Sequence, residues 1–313
     1  MTTNLPERVV VATDGTSAAL RGVRYATFEA KRLGVGLEIV HVVPGYLPTG
    51  PLPMVPDGAL QAFGCSVLER SLAVARNTAG DVEIMSRLVS GARVASIVEA
   101  GRSGSLLVLG SEPHTLAERV WTGATVAGVS ARAGVPVVVV PEGWRERDTA
   151  SMSRVLVGFK SPQHAPELLA SAFALANTRG ADLAVLHAWK LPSVYDDVVT
   201  NRVAEAQWRE EQHAVIESLI VDLRRCYPEV AVTIDVLHES PAHALVRASR
   251  NVDRLVITRP AHGGYFHHLG AVARAVLREA HCPVEVVPPS TGEEDERSLA
   301  PRARWRSPTL TPK

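Results

Sequence analysis

The chain has 313 residues, enough for about two ordinary domains that each bury a core of their own. Lysine plus arginine number 33, and so do aspartate plus glutamate, so no net field draws the chain toward nucleic acid or an anionic membrane. Although 46% of the residues are hydrophobic, no apolar run approaches the ~20 residues of a membrane helix and Met1 to Glu7 lacks the blocks of a signal peptide, so a cytoplasmic protein is expected.

In chain order, the first predicted element is a β-branched strand, Val9 to Thr13. Ser17 to Leu33 follows, with Leu20, Val23, Ala26, Ala30 and Leu33 at three- and four-residue spacing, an apolar helix stripe after the cap-like Thr16-Ser17. A second strand, Leu37 to Val43, leads into a proline-rich stretch from Pro44 to Pro56, read as a lid or a mobile connection, and then a long helix, Ala59 to Thr78. Strands at Val82 to Leu88, Leu106 to Gly110 and Pro136 to Val140 complete a first unit of five.

The same order then recurs. RVVVAT from Arg8 reads like RVLVGF from Arg154, and LEIVHVVP like LAVLHAWKLP. GATVAGVSARAGVPVVVVP from Gly123 aligns without gaps to GAVARAVLREAHCPVEVVP from Gly270. The offset is steady, 146 positions from His41 to His187 and 147 from Gly123 to Gly270. The second unit places strands at Val155 to Phe159, Leu183 to Trp189, Val230 to Leu237, Arg254 to Thr258 and Pro283 to Val287, with a long helix at Arg202 to Cys226 after an acidic loop, Pro192 to Asp197.

Strand-length runs alternating with helix-period stretches imply βαβ units and parallel sheets covered on both faces. The expected architecture is α/β: two tandem five-stranded Rossmann-like domains, residues 1–145 and 146–290, with a polar boundary from Glu142 to Ser153 and a disordered tail at 291–313. The last strands, VPVVVV and CPVEVV, are edge candidates with apolar faces that seek a partner. Cys65, Cys226 and Cys282 stand far apart and outside any paired motif, which argues against disulfides and zinc.

In an open parallel sheet the ligand crevice lies beyond the carboxyl ends of the strands, where strand order reverses. After the first strand come Thr13, Asp14, Gly15, Thr16 and Ser17, opening a helix whose exposed N–H groups suit an anion or a ribose. Equally, Asp14 and Ser17 can serve as caps and Gly15 as a turn residue. After the fourth strand come Gly110 and Ser111, and Gly123, Ala124 and Thr125 begin another helix.

ATDGTSAALRGVRYA, the IVHVVP strand, and GSEP followed by TGATVAGVSARAGVPVVVV resemble the universal stress protein family, and the resemblance spans about Arg8 to Pro288. It implies an adenine-nucleotide-hydrolase-like fold whose two halves pair through their last strands as a pseudo-dimer, and ATP, with magnesium, as ligand. Position by position, Asp14 matches the aspartate that meets the nucleoside, Val42 the backbone beside adenine, and Gly110 and Gly123 the outer glycines of the phosphate loop. Two positions depart: Pro113 stands where a second glycine belongs, and Ala124 where a phosphate-binding hydroxyl belongs, with Thr125 one residue late and Ser111 nearby. Proline removes an N–H donor and fixes φ, so a weakened phosphate site is expected.

Copy two departs further, with Lys160 at the aspartate position, Thr258 and Ala261 at loop glycines, and Ala271 after the surviving Gly270. Its loop histidines, His262, His267 and His268, with His281 beyond, fit no closed zinc spacing. No catalytic triad, Walker loop or dinucleotide fingerprint is present. The expectation is a non-enzymatic stress-response binding module with one nucleotide site, in copy one; the alternatives are a nucleotide-free scaffold acting through protein contacts and a slow ATP hydrolase. A homodimer and an unidentified regulatory protein are the expected partners.

Overall fold

A computed structural model describes residues 8–45, 58–111, 122–146, 153–190, 202–259 and 269–289. The strands are β1 (Arg8–Ala12), β2 (Gly36–Val43), β3 (Ile84–Ser90), β4 (Leu106–Gly110), β5 (Val137–Val140), β6 (Arg154–Phe159), β7 (Asp182–Trp189), β8 (Val232–His238), β9 (Arg254–Thr258) and β10 (Val284–Val287). The helices are α1 (Ser17–Leu33), α2 (Ala59–Thr78), α3 (Arg93–Gly101), α4 (Thr122–Arg132), α5 (Ala165–Arg179), α6 (Arg202–Cys226), α7 (Pro241–Ala248) and α8 (Ala271–Glu279). Two strands start two residues later than the sequence predicts, because Val82 and Val230 bend out of the preceding helices, donating their N–H groups to the carbonyls of Ala79 and Tyr227.

All ten strands form one sheet in the order β3-β2-β1-β4-β5-β10-β9-β6-β7-β8. Every pairing is parallel except the central one, where β5 and β10 run antiparallel with Val139 opposite Val284 and Val137 opposite Val286. The last strand of each copy is therefore an edge of its own half and the middle of the whole, and pairing there removes both edges from solvent. One apolar core runs across that junction, from Val10 and Leu107 through Val137 and Val139 to Val284, Leu255 and Leu156. On the other face each copy keeps its own core, around α1 and α2 in copy one and α5 and α6 in copy two.

The buried side of α1 differs from the predicted stripe. Leu33 is exposed, while Tyr25 and Glu29 are buried. The reason is the junction: α1 packs against copy two there, and Glu29 meets the guanidinium groups of Arg32 at 2.5 Å and Arg254 at 2.9 Å, together with Arg179. Burial alone would push the Glu29 carboxyl up, but Arg254, Arg179 and Arg32 overcome it and hold its pKa down at about 2.

The duplication extends to buried polar chemistry. His41 Nδ1 lies 2.7 Å from the carbonyl oxygen of Thr13, and His187 Nδ1 lies 3.0 Å from that of Phe159, so each histidine ties β2 or β7 to the end of its neighbouring strand. Burial lowers the His187 pKa, only partly offset by the Phe159 hydrogen bond. A folded-state value below the unfolded one means stability is complete above about pH 6.5 and is lost as pH falls through that value. Thermal unfolding at pH 5 and pH 7.5 should show a drop in the wild type that His187→Asn diminishes; an unchanged drop would place its source elsewhere.

Candidate functional site

The site forms at the carboxyl end of β1 and β4, between helices that leave the sheet on opposite faces. After β1 the chain has four residues in which to turn into α1, and each has a separate task. Thr13 is buried, with its hydroxyl 3.1 Å from that of Ser71 on α2. Gly15 has φ +81°, and a Cβ there would press on the Val67 side chain at 3.2 Å, so glycine is needed for the turn itself. Thr16 is the N-cap, its Oγ1 accepting from Ala19 N–H at 3.2 Å. Asp14, exposed, braces that cap: its Oδ1 accepts from both the Thr16 N–H, at 3.1 Å, and the Thr16 hydroxyl, at 2.7 Å. The cap is thus Thr16 of the cap-like Thr16-Ser17 pair, and Asp14 acts one step removed, on Thr16 itself.

Gly110 ends β4 with almost no room above it. A Cβ would lie 1.9 Å from the Ala18 carbonyl oxygen, and a Cβ on Gly22 would lie 2.9 Å from Gly110 N. This pair of glycines lets α1 lie directly on β4, so Gly110 has a packing reason to be glycine independent of any ligand. Ser111 continues the sheet, donating its N–H to Val140 O at 2.9 Å and accepting from Arg21 through its carbonyl at 3.1 Å.

Thr13, Asp14, Val42, Gly110, Ser111 and Thr125, drawn from four separate segments, all line one cleft. Gly15 and Ala124 lie beside it without lining it: Gly15 faces Val67, and Ala124 sits, with Gly123, in the first turn of α4. Pro113 and its neighbours at 112–121, the loops at 46–57 and 191–201, the boundary at 147–152, His262, His267 and His268, and the tail at 290–313 lie outside the described residues. The described walls enclose about 80 Å³, a fraction of the roughly 300–1,000 Å³ of a small-molecule site.

Sequence reasoning missed several of the walls: Ile97 of α3, Val126 of α4, and Arg93 at the first position of α3. Arg93 makes no ion pair with any described residue, and the α3 cap residue, Ala92, supplies no side-chain bond. The matching position of copy two, the first of α7, is Pro241, the residue type that suits that helix position best. That contrast between the copies was the available signal.

Copy two is built otherwise at the same place. Lys160 is exposed, and a short 3-10 turn, Pro162–His164, precedes α5 where copy one has the compact Thr13 to Thr16 turn. Arg259, one residue beyond Thr258, is buried and points across the junction, donating to the carbonyls of Ala131 and, at 2.9 Å, Ala133 at the end of α4.

The family's sequence model matches this chain twice, over residues 6–141 and 152–288. The chain belongs to the universal stress protein family. A universal stress protein of Mycobacterium tuberculosis is 28% identical over 292 residues, covering 89% of this chain and 95% of the relative. Another, from Mycobacterium bovis, is 28% identical over 285 residues, covering 89% and 96%. Among solved structures, a universal stress protein from Archaeoglobus fulgidus superposes with a TM-score of 0.66 at 18% identity over 90% of this chain and 96% of its own. A putative universal stress protein from Pseudomonas aeruginosa gives 0.54 at 15% identity, over 91% and 94%. Those two likenesses bear on the tandem α/β fold. Among the described residues no helix is long and apolar enough to cross a membrane.

Proposed function

We propose that this universal stress protein binds one adenine nucleotide, ATP with magnesium, in the cleft of copy one, and works as a cytoplasmic stress-response binding module rather than as an enzyme. The observation that carries the reading is the convergence of Asp14, Val42, Gly110, Ser111 and Thr125 on one cleft at the strand-order reversal. In this reading the free edge of the Asp14 carboxylate accepts from a ribose hydroxyl, and the backbone at Val42 meets the base. The hydroxyls of Ser111 and Thr125 and the first turn of α4 face the phosphates. Among the described residues Asp14 is the only carboxylate lining the cleft, so in this reading magnesium is held chiefly by the phosphates. The residues fit the nucleoside end better than the phosphate end, where Pro113 and Ala124 have taken the place of donors.

The test is a calorimetric titration with Mg-ATP of the wild type and Asp14→Ala. The wild type is expected to saturate below millimolar ATP. Removal of one charge-assisted hydrogen bond of about 1.5–3 kcal/mol should raise Kd about tenfold or more in the variant. Equal affinities would remove Asp14 from the site. The small enclosed volume favours a second reading, a scaffold that acts through protein contacts alone, and absence of saturable binding by the wild type would select it.

A further inference from the structure

Helix α4 has one end in each half of the molecule's business. Its first turn carries Thr125 and Val126 into the cleft of copy one, and its last carbonyls, those of Ala131 and Ala133, are held by the Arg259 guanidinium of copy two. Thr125 and Ala131 stand six positions, about 9 Å, apart on one rigid helix.

Arg259 is placed by the degeneration of its own copy. It follows Thr258 as Ser111 follows Gly110, so it holds the position that in copy one lines the cleft. Instead of facing a ligand, its side chain crosses to the other copy. Ala131 and Ala133 carry terminal helix carbonyls that lack a following turn to satisfy them, and the negative end of the helix dipole favours a cation. Two parallel donors from one planar fork fix the helix end in position as well as charge. Arg259 is 9% exposed, and burial opposes its charge, so the two carbonyls are what make its placement favourable.

We propose that Arg259 is a positioning residue for the nucleotide site of copy one: the degenerate copy clamps the far end of α4 and thereby sets where Thr125 and the α4 N-terminus stand relative to Asp14. The inference rests on the nucleotide reading above. It gives the second copy a task that a merely packed neighbour would not have, and it predicts which part of the ligand feels the clamp. In that reading the α4 end of the cleft faces the phosphates, whereas Val42 and Asp14 belong to β2 and the β1 turn, and the carbonyls that Arg259 holds are those at the end of α4.

The experiment compares Mg-ATP with adenosine as titrants of the wild type, Arg259→Gln and Arg259→Lys, using the full chain at a temperature where each is folded. Arg259→Gln should weaken ATP about tenfold and adenosine by less than twofold, and Arg259→Lys, which keeps the cation but not the fork, should fall between. A purely structural arginine would lower the unfolding temperature and leave the ATP-to-adenosine affinity ratio at the wild-type value, and that result would overturn the proposal. Should Arg259→Gln fail to fold, the lysine variant carries the same comparison, with an unchanged ratio again overturning it. A wild type that binds neither titrant would overturn both this inference and the nucleotide reading; a wild type that binds both, with an unchanged ratio in the variants, overturns this one alone.

Discussion

Arg254→Ala is expected to destabilise the protein by about 3–5 kcal/mol, the range for removing one member of a buried ion network and leaving the others unpaired. Arg254 sits at the start of β9 with 2% of its side chain exposed, its Nη1 2.6 Å from Glu285 Oε2 and its Nη2 2.9 Å from Glu29 Oε2. Nη2 also donates to the Tyr25 hydroxyl, and the guanidinium carbon lies 5.4 Å from the centre of the Tyr25 ring. Glu29 and Tyr25 belong to copy one, Arg254 and Glu285 to copy two, so the loss falls on the junction between them. Burial works against the cation, but Glu29, Tyr25 and Glu285 hold the Arg254 pKa above its ordinary value. The double variant Arg254→Met with Glu285→Gln should recover much of the loss, because Glu29 keeps Arg32 and Arg179 and the charge stranded by loss of Arg254 is that of Glu285. Urea unfolding followed by tryptophan fluorescence checks both. A loss below about 1 kcal/mol in Arg254→Ala would match an exposed pair and would contradict the burial argument.

Gly110→Ala is expected to be the most damaging single methyl in copy one. The added carbon would lie 1.9 Å from a backbone carbonyl oxygen, that of Ala18, and backbone cannot swing aside as a side-chain tip can. Overpacking costs about 1–3 kcal/mol, occasionally more, and relief requires α1 to lift from β4. Because Thr16, Ala18 and Ala19 line the cleft, the same shift should weaken Mg-ATP by more than tenfold. Gly134→Ala makes the control, since nothing lies within 4 Å of the position its Cβ would take. Thermal unfolding and ATP titration of the two variants distinguish the effects. A Gly110→Ala protein with wild-type stability and lost ATP binding would mean that the glycine serves the ligand and not the helix.

What the sequence made legible follows from what is local. The duplication, the strand runs and the Thr16-Ser17 cap region depend on neighbours within a few residues, and the strands differ from the structure mainly where Val82 and Val230 are drawn into turns. The cleft was legible through the strand-end rule and through the family resemblance, which together brought out Asp14, Val42, Gly110, Ser111 and Thr125. What was hidden depends on distant partners. Glu29 and Arg254 are 225 positions apart, and nothing in either local pattern marks them as buried. Arg259 reads as an ordinary loop arginine until the carbonyls of Ala131 and Ala133 come into view. Gly110 shows a different limit: the pattern identified a necessary glycine, but only the packing against Ala18 supplied a second reason for it.

One nucleotide site per chain, in copy one, with copy two as its structural partner, is open to calorimetric stoichiometry of Mg-ATP on the 313-residue chain. One nucleotide per chain is expected, bound about tenfold or more weakly by Asp14→Ala and as in the wild type by Lys160→Ala. Two nucleotides per chain, an affinity unchanged in Asp14→Ala, or none at millimolar ATP would overturn it.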